Sequence, residues 1–199
     1  MNAIKLQRKR NIEFGNRKLP VTTAIFNICS ATDCPSLKLG LCQVVNAGHK
    51  CYALRDEQFY TGPLNYRRRQ EKLWDSLTAE EFAAQFVAVI QARRTPTKAL
   101  RLNESGDFRS QADVVKASAI ADILGESGVR VYCYTARSDL DFASVSTNLV
   151  VNGSGFLVHG EFRFIRDVGQ KPEGYGVCRG SCRTCARCLR GMRTCVLPH

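Results

Sequence analysis

Apolar and polar positions along the chain follow two alternating periods. "VTTAIFNIC" (21–29) is β-branched and apolar almost throughout, the pattern of a buried strand. "NYRRRQEKLWDSL" and "TAEEFAAQFVAVIQARR" then take helical spacing; in the second, Phe82, Phe86, Val89 and Ile90 share one face. Thr78, with Glu81 three residues on, is the sequence form of a capping box. "KALRLN" (98–103) predicts a strand that runs into the polar bend "ESGDF". Ser110 opens a further helix with Val114, Ala117, Ala121 and Leu124 on one side, and Gly125 and Gly128 stop it. "VRVYCYT", "NLVVNGS" and "EFRFI" complete a set of five predicted strands.

Strands that alternate with helices predict parallel βαβ units with right-handed crossovers. Five strands are too few for a closed eight-stranded barrel. The expected fold is therefore α/β: an incomplete (β/α) barrel or an open, mostly parallel sheet, with a cysteine-rich C-terminal lobe. Three segments are expected: a basic arm over 1–20, an α/β core over 21–170 with a cysteine loop at 30–51, and a metal-binding lobe over 171–199 rich in cysteine and arginine. In such folds the site forms at the C-terminal ends of the strands. Those ends carry the cysteine loop, "ESGDF", "YTARSDL" and "NGSG", so four polar or glycine-rich segments are expected at one mouth.

Composition narrows the setting. A chain of 199 residues, 44% hydrophobic and 24% charged, is long enough for one core and is not of disordered type. Its apolar runs, such as "FAAQFVAVI", fall short of the ~18 residues of a membrane span. The basic N-terminus lacks the apolar stretch of a secretory signal, so a cytoplasmic location away from membranes is expected. In that reducing setting ten cysteines point to metal or cluster ligation rather than disulfides. Net charge is +11, and from residue 174 onward five arginines (Arg179, Arg183, Arg187, Arg190, Arg193) face no acid. The arm and the lobe could thus hold a polyanion such as nucleic acid, bind an anionic small molecule, or balance anionic clusters.

The cysteines fall into two sets. Cys34, Cys42 and Cys51 are separated by seven and eight residues, too wide for the paired spacing of a zinc knuckle. Three thiolates in one loop can hold three corners of a [4Fe–4S] cluster and leave one iron open. His49 is a possible fourth ligand, and three unrelated buried thiols are the plainer alternative. Cys29 and Cys133 lie in apolar strands and read as packing residues. Cys178, Cys182, Cys185 and Cys188 form a C-x₃-C-x₂-C-x₂-C run with Cys195 behind. Short consecutive gaps suit a cubane better than a tetrahedral ion, and zinc stays open as the structural alternative.

The cysteine trio, "CYA", "SGDF", "YTARSDL" and the terminal cysteines together resemble, in order, a phage and plasmid family known as gene product 88. That layout is in turn similar to radical S-adenosylmethionine proteins, with a cluster loop after strand one, a glycine-acid segment ending strand two, and an incomplete barrel. The resemblance implies that Cys34, Cys42 and Cys51 ligate the cluster, with Tyr52 as aromatic neighbour. It implies that Ser105, Gly106 and Asp107 receive the cofactor's amino group and that Cys178, Cys182, Cys185 and Cys188 hold an auxiliary cluster. Asp107 and Arg137 would be catalytic, Arg137 by pairing with a substrate carboxylate or phosphate. A salt bridge to Asp139 or Asp141 is the structural alternative for that arginine. Asn103, Glu104, Asn152 and Ser154 are secondary candidates. The compact radical signature C-x₃-C-x₂-C is absent upstream but present at Cys178, Cys182 and Cys185, which leaves an inverted assignment open. The expectation is an iron–sulfur, radical S-adenosylmethionine-like enzyme of a mobile element, acting on a nucleotide or nucleic acid. The alternative is a non-catalytic, zinc- or cluster-stabilised nucleic-acid-binding protein.

Overall fold

The period-2 runs become strands whose two faces differ. The computed structural model describes residues 5–8 and 10–197, so residues 1–4 and 9 of the expected arm and 198–199 of the lobe lie outside the described residues. The strands are β1 (Glu13–Phe14), β2 (Thr23–Phe26), β3 (Ala99–Leu102), β4 (Arg130–Thr135), β5 (Leu149–Ser154), β6 (Gly160–Phe164), β7 (Gly176–Val177) and β8 (Thr194–Val196). They form one sheet in the order β1-β2-β3-β4-β5-β6-β8-β7. Only the β1–β2 pair is antiparallel; the other neighbours run parallel. The sheet stays open, with β1 and β7 as its edges.

Between β2 and β3 lie α1 (Pro35–Lys38), α2 (Gln43–Asn46), α3 (Tyr52–Phe59), α4 (Thr61–Ser76) and α5 (Ala79–Gln91), and α6 (Gln111–Glu126) joins β3 to β4. Ala24, Phe26, Leu100, Leu102, Val131, Cys133, Leu149 and Val151 pack on one side against Trp74, Phe82, Phe86 and the apolar stripe of α6. Strand alternation sends Ala99, Tyr132 and Val150 to the opposite side, where Tyr134 and Leu189 join them. The helices thus cover one face, and the chain around a 3₁₀ turn at Cys188–Arg190 covers part of the other.

The capping box forms as expected: Thr78 N–H donates to Glu81 Oε2 at 2.8 Å and Glu81 N–H to Thr78 Oγ1 at 3.2 Å. Ser110 sits at the N-cap of α6 but makes no side-chain cap bond. Gly125 lies within the last turn of α6, against Asn148, and Gly128, at φ +71, follows its end. The basic N-terminal segment joins the body: Leu6, Ile12 and Leu19 are buried and β1 pairs with β2. The cysteine-rich segment joins the sheet, where β8 inserts between β6 and β7. Among the described residues no helix is long and apolar enough to cross a membrane.

Candidate functional site

The strand-end segments meet, and Asp107 is where three of them are tied. Its carboxylate accepts from Ser36 Oγ at 2.6 Å in the cysteine loop, from Ala136 N–H at 2.8 Å beyond β4, and from Phe108 N–H at 2.8 Å. Burial pushes the Asp107 carboxyl up, while Ser36, Thr135 and the Ala136 and Phe108 amides pull it back down. The fourth segment joins through Gln43, next to Cys42. Its Nε2 donates to Ser154 Oγ at 2.8 Å and to the Phe162 carbonyl at 2.6 Å, and its Oε1 accepts from Phe164 N–H at 3.0 Å.

The cysteine trio has a common local design. Cys34, Cys42 and Cys51 are the N-cap residues of α1, α2 and α3. None closes a side-chain cap bond, yet backbone N–H groups of the first turn face two of the sulfurs. Burial pushes the Cys34 thiol up to about 12, and the N–H groups of Leu37 and Ser36 act against it. Cys42 is raised by burial as well, opposed by the Val45 and Val44 amides. Cys42 adds to the ionisation cost of Cys34, Cys51 adds to that of Cys42, and Asp107 adds to both. Asp107 thus shares the neighbourhood of Cys34 and Cys42, with Cys51 next to Cys42.

A second layer pins that loop. Glu57, on α3, accepts from the Ala31 and Thr32 amides, each at 2.8 Å, and from Arg67 Nη1 of α4 at 2.7 Å. Burial raises the Glu57 carboxyl, but these bonds outweigh it and hold the group below the usual carboxylate range. Cys29, fully buried, donates from Sγ to the Asp107 carbonyl at 3.3 Å, and burial pushes its thiol up to about 12. Gly106 lies directly against it at φ +72: a Cβ there would stand 2.4 Å from the Cys29 carbonyl oxygen and 2.5 Å from its sulfur. Cys29 and Cys133 are both core residues.

Other sequence candidates occupy different surroundings. Ser105 is buried, with its N–H on Asn27 Oδ1 at 2.8 Å. Gly106 brings the backbone close to Cys29 rather than to an open cleft. Tyr52 has an exposed ring, but its hydroxyl is turned inward and donates to the Glu104 carbonyl at 2.5 Å. Arg137 takes the salt-bridge alternative: Nε and Nη2 fork onto Asp139, each at 2.8 Å, and Nη1 donates to the Phe108 carbonyl at 2.6 Å. That fork occupies the guanidinium edge a substrate carboxylate would need. Asn103 is buried at φ 56 with Nδ2 unpartnered. Glu104 accepts from Asn16 Nδ2 at 2.7 Å, and Asn152 Nδ2 donates to the Cys188 carbonyl at 2.9 Å, which anchors the lobe. The His49 ring rests 4.8 Å from Phe164.

The C-terminal cysteine segment lies over the opposite face of the sheet, where Leu189 packs and the Cys188 carbonyl meets Asn152. Cys182 feels Cys178 and Cys185, and Cys188 feels Cys182 and Cys178. Burial pushes the Cys188 thiol up to about 11, with the Tyr134 hydroxyl beside it acting in the other direction. Cys182 N–H donates to the Lys18 carbonyl at 2.9 Å, which joins the lobe to the N-terminal segment. Cys195 is buried in β8, and its carbonyl accepts from Cys178 N–H at 2.7 Å. Among the described residues no three His, Cys, Asp or Glu side chains converge as tightly as a bound ion requires. Gln43 and Glu57, both central here, carry no motif in the sequence.

A family model described as gene product 88 matches residues 2–171, which include the five central strands, the cysteine trio and the Asp107 bend. Cys178 and the cysteines after it lie beyond the matched residues. No curated protein and no solved structure matches the chain. With the match running over most of its length, the chain belongs to the gene product 88 family.

Proposed function

We propose that Cys34, Cys42 and Cys51 hold an iron–sulfur centre at the C-terminal mouth of the sheet, and that Cys178, Cys182, Cys185 and Cys188 hold a second metal centre, a cluster or zinc. The observation that carries the reading is the common placement of the trio. Cys34, Cys42 and Cys51 are the N-cap residues of three successive helices, and backbone N–H groups face the sulfurs of Cys34 and Cys42, near the Asp107 carboxylate. Helix N-termini favour thiolate over thiol, which is the form a metal takes up. Burial raises the Cys34 and Cys42 thiols, so metal uptake there would release protons.

A cluster held by three protein thiolates supplies one-electron chemistry and an iron open to an outside ligand. This chain's residues hold it in place. Asp107 fixes the loop between Cys34 and Cys42 through Ser36, Glu57 fixes the approach to Cys34, and Gln43 ties Cys42 to β5 and β6. For S-adenosylmethionine the residues do not fit as they stand. Ser105 is buried, Gly106 is packed on Cys29, and the acceptor positions of Asp107 are taken by Ser36, Ala136 and Phe108. Asp107 and Arg137, engaged in these bonds, act as positioning residues. A nucleotide or nucleic-acid substrate fits the net charge of +11.

The second reading is a zinc-stabilised nucleic-acid binder without catalysis, favoured by the five arginines of the C-terminal segment. Anaerobic isolation separates the two. A brown protein with iron and inorganic sulfide supports the first reading; a colourless one that carries only zinc overturns it.

A further inference from the structure

Arg101 is a cation within β3, on the side of the sheet that faces the C-terminal cysteines. Its side chain is only 18% exposed and its buried Nε has no hydrogen-bond partner. The guanidinium lies 5.0 Å from the centre of the Tyr134 ring, and Tyr52 and Tyr132 lie within its field. Glu104 is the one carboxylate paired with it among the described residues, and only at 4.0 Å; the same oxygen already accepts from Asn16 Nδ2 at 2.7 Å. A buried charge with so weak a partner costs stability unless a better anion arrives. The cysteine segment lies over this same face. Leu189, next to Cys188, packs with Tyr132 and Tyr134, and Asn152 Nδ2 of β5 donates to the Cys188 carbonyl at 2.9 Å. Cys182 N–H donates to the Lys18 carbonyl, two residues from the Asn16 that holds Glu104.

We infer that Arg101 is the counter-charge of the C-terminal thiolate site, set beneath it on β3 to balance the charge that Cys178, Cys182, Cys185 and Cys188 develop on taking up a metal ion. When four thiols bind a divalent ion they release four protons and keep two units of excess negative charge. The aromatic layer of Tyr132 and Tyr134 keeps water from screening that charge. Arg101 thereby favours an all-thiolate site over one completed by a neutral histidine. It is a positioning residue that acts through charge, and the inference rests on the metal-site reading above.

The test uses the full chain, reduced and metal-free, titrated with Co²⁺ and followed by thiolate-to-cobalt absorption. Absorption that disappears in Cys182→Ser belongs to the C-terminal site. If wild type and Cys182→Ser give the same absorption, the metal-site reading itself falls, and the inference with it. If that absorption is lost, Arg101→Gln should bind Co²⁺ at this site about tenfold more weakly. Arg101→Lys, which keeps the charge, should stay within about threefold of wild type. Glu104→Gln removes the competing acid and should tighten binding about threefold, a gain that a packing role would not produce. Wild-type affinity in Arg101→Gln, or equal losses in the glutamine and lysine variants, overturns the inference. Should Arg101→Gln fail to fold, Glu104→Gln decides: tighter binding supports the inference, and equal or weaker binding overturns it.

Discussion

Replacing Asp107 by alanine removes the acceptor that ties the cysteine loop to two strand ends. Three donors lose it: Ser36 Oγ at 2.6 Å, Ala136 N–H at 2.8 Å and Phe108 N–H at 2.8 Å. The Ser36 hydroxyl can rotate to another partner, but the two amides are fixed by the backbone. Each buried amide left unpaired costs about 1–3 kcal/mol. Burial already raises the Asp107 carboxyl, so removing it returns part of that sum, and the net loss should be about 3 kcal/mol. Asp107→Asn keeps an oxygen for Ser36 and Ala136 and loses the Phe108 bond, so its loss should be about 1–2 kcal/mol. Trp74, the chain's single tryptophan and 1% exposed in the main core, reports unfolding by fluorescence in urea. Thiol-reagent kinetics supplies a second reading: Ser36 lies between Cys34 and Cys42, so the alanine variant should expose both to faster modification. An alanine variant within about 0.5 kcal/mol of wild type, with unchanged thiol reactivity, would refute the role given to this carboxylate.

Gly106→Ala places a Cβ 2.4 Å from the Cys29 carbonyl oxygen at φ +72, and strain plus overlap should cost about 2–4 kcal/mol in a urea melt; a neutral effect would mean that the Cys29 and Asp107 segments are not in contact. Burial raises Asp113, yet its bonds to Arg109 and the Trp74 indole outweigh that and hold its carboxyl below the ordinary value. The stability it contributes is therefore complete above the unfolded aspartate pKa of about 3.9 and is lost as pH falls through the lower, folded value. Asp113→Asn should flatten the acid limb of the stability curve, and an unchanged limb would show that the group is not ionised in this network. Binding to a random nucleic-acid probe should weaken steeply with added salt through counterion release, and a flat response would detach the net charge of +11 from that role.

Strand and helix identity were legible because a face buried against helices imposes period 2 or 3.6 on the chain. Phe82, Phe86, Val114 and Ala117 are core residues where the spacing puts them. The mouth was legible for a topological reason: parallel strands deliver their following loops to one edge. The strands of the cysteine lobe were not. Gly176–Val177 and Thr194–Val196 are too short to show a period; Thr194–Val196 is a strand because it pairs with β6 upstream, and Gly176–Val177 because it pairs with Thr194–Val196 in turn. The helices at Pro35–Lys38 and Gln43–Asn46 span about one turn each, so no apolar stripe could announce them. Arg137 shows the limit for single residues: its fork onto Asp139 was one of two readings until the side-chain directions were known. Glu57 and Arg67 pair across two helices with no local signature.

Iron and inorganic sulfide per chain, compared between anaerobically isolated wild type and the Cys34→Ala/Cys42→Ala/Cys51→Ala variant, test the central claim most directly. The account predicts that the variant keeps its far-ultraviolet circular dichroism and loses one cluster's worth of both elements. Equal iron and sulfide in the two proteins would contradict it.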